Sequence, residues 1–376
     1  MRFPLRFGGF AVLLALLVCA FPPSAAAQIP FHIETVDSSG NTGIGASVAL
    51  DSQGRPHVAY IERLSFTSGT VRYAVKTGAA WTIQPGPAHA DERTGVTLVL
   101  DAADNPGIAH SGTYFRKAGG SWVAEDMGGF SPWFSTAARD AAGGLQGVTI
   151  WSWGSGDYEG YVSYTVRTGS TWSDIILDDG TFYPTSPHAS LVIDSQGDPH
   201  ISLTSTAGDS VRYWHRANGV WSRVVFTRGA WSSIALDAQE VPRISYYDTV
   251  HRDLVLAFQA GGVWVTVPLD GLEDVGQFTS QVIRGGVSHI AYYATSVGDL
   301  KYAVYDPAQG APSLRIQTVD SQGDVGSWAS LALDGEDHPH IAYRDATNGY
   351  LKYASEAVKV PVEKRTLGGV KALYRP

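Results

Sequence analysis

The sequence predicts an all-β protein, a seven-bladed β-propeller built from four-stranded antiparallel blades. Three observations carry this. A phrase of the form small-apolar-Ala-apolar-Asp, followed by a turn, occurs seven times, with anchors at Asp51, Asp101, Asp140, Asp194, Asp237, Arg284 and Asp334. The runs within each copy alternate apolar and polar residues with period two, which is the strand period and not the helical one. The last copy stops after three runs, and the segment before the first copy supplies a fourth. Four short strands per repeat of about 45 residues define a propeller blade.

The elements follow from the copies in order. The phrases are "SVALDSQGRPHVAY" (47–60), "TLVLDAADNPGIAH" (97–110), "TAARDAAGGLQGVTI" (136–150), "SLVIDSQGDPHISL" (190–203), "SIALDAQEVPRISY" (233–246), "SQVIRGGVSHIAYY" (280–293) and "SLALDGEDHPHIAY" (330–343). The third is the most degraded. In each, the first run ends at the anchor, where an Asp carboxylate accepts bonds from nearby backbone N–H groups and Gly supplies a positive φ. A second run of the "HIAY" type follows, then a third of the "VRYAV" type. A tight turn such as "RTGST" or "RANGV" leads to a fourth run that opens at Trp81, Trp122, Trp172, Trp221 or Trp264. The seventh copy lacks this run. "FHIETVD" (31–37) matches "LRIQTVD" (314–320), the fourth run of the sixth copy, so the N-terminal segment is expected to complete the C-terminal blade and close the ring.

Outside the repeats, residues 1–27 read as a signal peptide. Arg2 and Arg6 precede the apolar "FAVLLALLVCAF", and an Ala-x-Ala site predicts cleavage after Ala27. The apolar run is short for a membrane span. The chain is therefore expected to be secreted or displayed on the cell surface, with the propeller at 28–354. Its one cysteine, Cys19, lies in this leader, which excludes disulfides from the mature chain. The net charge is −9, and the basic residues Lys359, Lys364, Arg365, Lys371 and Arg375 gather in the tail 355–376, leaving a strongly acidic body. Such a body repels nucleic acid, and neither a nucleic-acid partner nor a membrane span is expected. The tail reads as a linker with a sorting or attachment segment, and the protein as a monomer.

The phrases "DSQGRPHVAY", "DSQGDPHISL" and "HPHIAYRD" resemble the repeats of secreted bacterial propellers in the neuraminidase-repeat, or sialidase-like, superfamily. The resemblance spans roughly 31–354 and implies the fold. The superfamily's Asp-box, Ser-x-Asp-x-Gly-x-Thr-Trp, and the Arg-Ile-Pro segment of sialidases are absent, so it does not extend to sialidase activity. The repeat style also resembles propeller-fold polysaccharide lyases such as ulvan lyases, which use His, Tyr and Arg around an acidic sugar.

Loop lengths point to one working face. First-to-second and third-to-fourth turns are short and uniform, whereas fourth-to-first and second-to-third loops are longer and variable, and these lie at the opposite face. Variable loops on a rigid scaffold are where binding concentrates. Three segments there, "GGFSPWFS", "WSWGSGDYEGY" and "DDGTFYPTSPH", hold Trp133, Phe134, Trp151, Trp153, Tyr158, Phe182, Tyr183 and His188. Aromatic faces stack on sugar rings, and they also fill gaps between blades. Six residues before each anchor stand Gly45, Gly95, Phe134, His188, Trp231, Phe278 and Trp328; four before stand only Ser or Thr. On a straight strand both positions share a face, which puts small residues on the channel wall and aromatics at its mouth. If the chain bends first, the rings pack between blades instead.

Catalysis needs an asymmetric constellation. Glu62, then Asp248 with His251 and Arg252, and Tyr343, Arg344 and Asp345 sit in second-to-third loops, and such groups perform acid–base chemistry on glycosides. The Tyr-x-Asp/Glu pattern recurs between copies, however, which favours a scaffold role. His57, His200, His289 and His340 occupy equivalent places in different copies and are too far apart to share an ion, so no metal or cofactor is expected. The leading expectation is an exported, non-catalytic propeller that binds a glycan or surface protein; the alternatives are an extracellular polysaccharide lyase or glycoside hydrolase, or a purely structural surface protein.

Overall fold

The computed structural model describes residues 28–65, 68–87, 95–128, 132–153, 159–181, 188–205 and 210–357. Among these the chain is all-β, with a single 3-10 turn at Ala311–Ser313. No helix among them is long and apolar enough to cross a membrane. Residues 1–27, expected to be a signal peptide, together with Tyr158, Phe182, Tyr183 and the tail from 358 onward, lie outside the described residues.

The strands form antiparallel sheets: five of four strands and one of seven. The seven-stranded sheet holds the fourth and fifth repeat units, which share one 17-residue strand, Val220–Leu236. Its first half pairs with Ser210–Ala217 and its second half with Pro242–Asp248. The sequence predicts a loop here, but "VVFTRGAW" lets the ladder run straight through and bend at Trp231.

The anchor turns form as their composition requires. Asp51 Oδ1 accepts from Gln53 N at 2.9 Å and Arg55 N at 2.8 Å. The same pair of bonds recurs at Asp101, Asp140, Asp194, Asp237 and Asp334. The sixth unit has Arg284 instead. Its turn is the two-residue Gly285-Gly286, both at positive φ, which joins paired residues Arg284 and Val287 without a side-chain acceptor.

The last unit is completed as its sequence predicts. Phe31–Asp37 pairs antiparallel with Tyr350–Glu356, from Phe31 opposite Glu356 to Asp37 opposite Leu351. This strand extends two residues beyond Ala354, where the repeat was expected to end.

The first strands of successive units are Asn41–Leu50, Thr97–Leu100, Pro132–Arg139, His188–Ile193, the second half of Val220–Leu236, Val275–Arg284 and Val325–Leu333. Each touches the next, and the last touches the first. The Ser/Thr positions supply the joints. Ser47 Oγ accepts from Leu98 N, Ser190 Oγ from Ile234 N, Ser233 Oγ from Gln281 N, Ser280 Oγ from Leu331 N and Ser330 Oγ from Val48 N, all at 2.9–3.2 Å. Thr97 donates to Thr136 at 3.1 Å.

A second set of joints lies further out. The Trp that opens each fourth strand packs on a Tyr of the preceding unit: Trp81 on Tyr353, Trp122 on Tyr73, Trp172 on Tyr114, Trp221 on Tyr164 and Trp264 on Tyr213, with centroids 5.1–5.9 Å apart. Phe31 takes that place against Tyr302 at 5.9 Å. Removing residues 28–37 deprives Tyr350–Glu356 of its ladder and Tyr302 of its ring partner. The expected outcome is a lower thermal midpoint and fast amide exchange at 350–356, read by calorimetry and hydrogen exchange; an unchanged midpoint would refute this closure.

Candidate functional site

Adjacent strands run antiparallel, so the anchor turns and the loops that precede the first strands fall at opposite ends of the units. At the loop end lies a cavity of about 220 Å³, lined by Ser47, Thr97, Thr136, Ser190, Ser233, Ser280 and Ser330, with Gly45, Gly95, Phe134, His188, Phe278 and Trp328 around it. The Ser/Thr positions thus line the cavity, as the sequence predicts, while their oxygens also bind the next unit.

The aromatic position does not sit on a straight strand. Trp231, Phe278 and Trp328 have φ of 48°, 51° and 57°, and the equivalent Gly45 has 58°. The ladder shifts register at each of these places. A bulky residue at positive φ is a backbone outlier. The bend turns the rings onto one another: Trp231 lies 5.1 Å from Phe278, and Phe278 4.8 Å from Trp328. A Cβ on Gly95 would come within 3.8 Å of Trp328 Cζ3, so this indole reaches two units onward. The three rings remain partly exposed. The two readings of these aromatics therefore coexist: the chain bends, the rings pack, and Phe278 and Trp328 still line the cavity, with Trp231 stacked behind Phe278.

Tyrosines and carboxylates support this lip. Tyr247 packs on Trp231 at 5.7 Å and donates to Asp274 at 2.9 Å. Tyr293 packs on Phe278 at 6.3 Å and donates to Asp324 at 2.6 Å. Burial and the Asp274 bond push the Tyr247 hydroxyl up to about 12. On the other side Phe134 packs on His188 at 5.4 Å. The His188 Nδ1 is buried without a hydrogen-bond partner, and burial holds this imidazole down to about 4.

The remaining aromatics divide. Trp151 is only 2% exposed, stacks on Tyr161 and donates to Thr149, which makes it core rather than face. Trp133 and Trp153 lie in strands Pro132–Arg139 and Leu145–Trp153, their side chains outside the described set.

The structure commits the acid–base candidates to local bonds. Tyr343 is fully buried and donates to Asp320 at 2.7 Å, with Lys352 Nζ 2.5 Å from the same oxygen. Tyr60–Asp37 and Tyr292–Asp270 repeat this clamp in other units. Glu62 is bonded by Arg72. Asp248 accepts from Val250 N, from His251 N and, at 2.8 Å, from His251 Nδ1; that contact raises the pKa of the exposed His251. Arg252 lies 3.6 Å from Asp274. Arg344 donates to Asn41, and Asp345 caps the Asn348 turn. The histidines of the HIAY-type runs bond tyrosines of their own units: His57–Tyr73, His200–Tyr213, His289–Tyr302 and His340–Tyr353.

A second cavity, about 300 Å³, is lined by Arg116, Lys117, Arg139 and Arg167. All four cations are already engaged: Arg116 and Arg167 converge on Glu125, Lys117 bonds Gln84, and Arg139 donates to Gly143 O and the Tyr114 hydroxyl.

No family model matches the chain, and no curated protein does. Solved structures do. An ulvan lyase of polysaccharide lyase family PL25, bound to -[GlcA(1-4)Rha3S]-, matches with a TM-score of 0.57 and 12% identity, covering 86% of this chain and 96% of its own. BBS1N in complex with ARL6DN matches with a TM-score of 0.54 and 10% identity, over 87% and 96%. At these identities the likeness is one of fold. The chain has an all-β, propeller-like fold.

Two predictions follow from the buried groups. Tyr343→Phe leaves Asp320 without its hydroxyl donor and is expected to destabilise by about 1–3 kcal/mol in denaturant unfolding; an unchanged midpoint would contradict the clamp. The folded-state pKa of His188 lies below the unfolded value of about 6.5. The unfolded chain then binds the extra proton first, so stability falls as pH drops from about 6.5 towards about 4. His188→Gln should flatten that part of the stability–pH curve.

Proposed function

We propose that the protein is an exported, seven-bladed β-propeller that binds a carbohydrate, as a free glycan or on a cell surface, through the aromatic lip at its variable face. The observation that carries this is the backbone of Trp231, Phe278 and Trp328. Gly45 occupies the same bend at no steric penalty, whereas a bulky side chain there costs on the order of 1–3 kcal/mol. Three of seven units nevertheless place a large, partly exposed ring at that bend, and two of these rings, Phe278 and Trp328, line a cavity walled by hydroxyl groups. Flat aromatic faces next to hydroxyls and carboxylates match the alternating apolar and polar faces of a pyranose.

Charge narrows the class. Asp274 and Asp324 stand behind the lip, and the chain carries a net −9. A neutral or amino sugar is favoured over a uronate or sulfated one. A non-catalytic role fits the site better than turnover, because Glu62, Asp248, Tyr343 and Asp345 already serve hydrogen bonds within the scaffold.

A glycan array followed by calorimetry tests the reading. Neutral or amino glycans are expected to bind, with Trp328→Ala and Trp231→Ala each weakening affinity about tenfold or more while the circular dichroism spectrum is retained. Binding that survives both changes, or release of unsaturated sugars with turnover lost in Tyr343→Phe, would overturn it.

A further inference from the structure

The sequence treats the histidines as four equivalent scaffold residues, one per unit and none near another. The register shows an exception in the fourth unit. The residue directly across the ladder from each HIAY-type position is Val75 for His57, Val304 for His289 and Ser355 for His340. For His200 it is His215. The two imidazoles lie with centroids 4.0 Å apart, and the Asp194 anchor stands beside them. Ligand atoms of Asp194, His200 and His215 all fall within 4.8 Å of one another.

We propose that Asp194, His200 and His215 form a binding site for a divalent transition metal of the zinc class, on the turn face of the fourth unit, away from the aromatic lip. Zinc takes imidazole and carboxylate ligands at about 2.0–2.2 Å, so neighbouring ligand atoms in a tetrahedral site stand about 3.4 Å apart. His200 Nε2 and Asp194 Oδ2 are 3.5 Å apart. The separations to the His215 ligand atom, at most 4.8 Å, shorten towards that value on binding.

A second observation points to a ligand. His200 is 4% exposed, and its buried Nε2 makes only the long 3.5 Å contact to Asp194 Oδ2. The other nitrogen, Nδ1, lies 2.7 Å from the Tyr213 hydroxyl. In the tautomer that donates from Nδ1, the Nε2 lone pair faces Asp194 and His215 and is open to a cation between them. A metal-bound histidine is commonly oriented in this way, by a partner on its other nitrogen. Asp194 and His215 are partly exposed, which leaves an entry path. Glu240 of the next unit accepts from Ser195 N at 2.6 Å and adds negative charge at the rim of the cluster. Three protein ligands leave the remaining position to water or to this carboxylate. Two imidazoles and one carboxylate favour zinc, copper or nickel over calcium or magnesium.

The test is titration calorimetry of zinc chloride into the EDTA-stripped full chain, compared with His215→Val. Valine stands at the equivalent place in the first, third and sixth units, so this variant keeps a side chain that the position accepts. Should it fail to fold, His215→Ser, the residue type of the seventh unit, replaces it. The wild type is expected to bind one equivalent of zinc, and the variant to bind it about tenfold or more weakly. Cobalt should give a visible d–d band in the wild type that the variant loses. Equal zinc binding by wild type and variant, or no stoichiometric binding by the wild type, would overturn the proposal.

Discussion

The structure depends on how one flat unit is attached to the next. A four-stranded sheet satisfies its own backbone but leaves two faces to be covered, and each unit covers its neighbour's. Near the axis the attachment is polar: a Ser oxygen on one inner strand accepts an N–H of the following inner strand, and Ser330 passes the bond across the chain ends to Val48. Further out it is apolar, with Trp or Phe against Tyr. Small side chains are required at the first position because inner strands converge there, and a hydroxyl is the smallest group that both fits and bonds. With no cysteine in the repeats, these contacts and the Phe31–Asp37 ladder hold the circle.

That attachment explains why so much of the architecture was legible in the sequence. A residue that must act at every junction recurs at every copy, and recurrence is what a single sequence can display. The Ser/Thr position, the Trp that opens the fourth strand, the "TVD" endings and the Tyr–Asp clamps all belong to this class, and the Asp anchors and His–Tyr pairs recur in the same way because they serve the fold of each unit. Even the exception at Arg284 is readable once Gly285-Gly286 is recognised as a turn that needs no carboxylate.

The candidate sites were less legible because they depend on properties that side-chain periodicity does not encode. The sign of φ at Trp231, Phe278 and Trp328 decides whether their rings face the channel or one another, and only Gly45 at the same position hints that the chain bends there. Trp151 lies in an aromatic-rich segment like its neighbours, yet its strand position buries it. The continuity of Val220–Leu236 depends on ladder register rather than on any breaker residue. His215 stands fifteen residues from His200 and becomes its partner only through cross-strand pairing.

Function in such a scaffold is carried by departures from the repeat, and the lip and the histidine cluster differ in kind. At the lip, three units place an aromatic ring at a bend where the first unit has glycine, and the rings stack in a row from Trp231 through Phe278 to Trp328, the last two lining the cavity. In the fourth unit, a single histidine replaces the valine or serine that faces the corresponding histidine elsewhere, and it turns a structural pair into a three-ligand cluster. Neither change disturbs the junctions: the Ser bonds on either side of the lip, Ser233 to Gln281 and Ser280 to Leu331, remain intact. The joints fix the frame, and residues at its two ends vary without loosening it. Tyr343 fails this criterion, because it and its equivalents are themselves joints, and replacing them would perturb the frame before any chemistry.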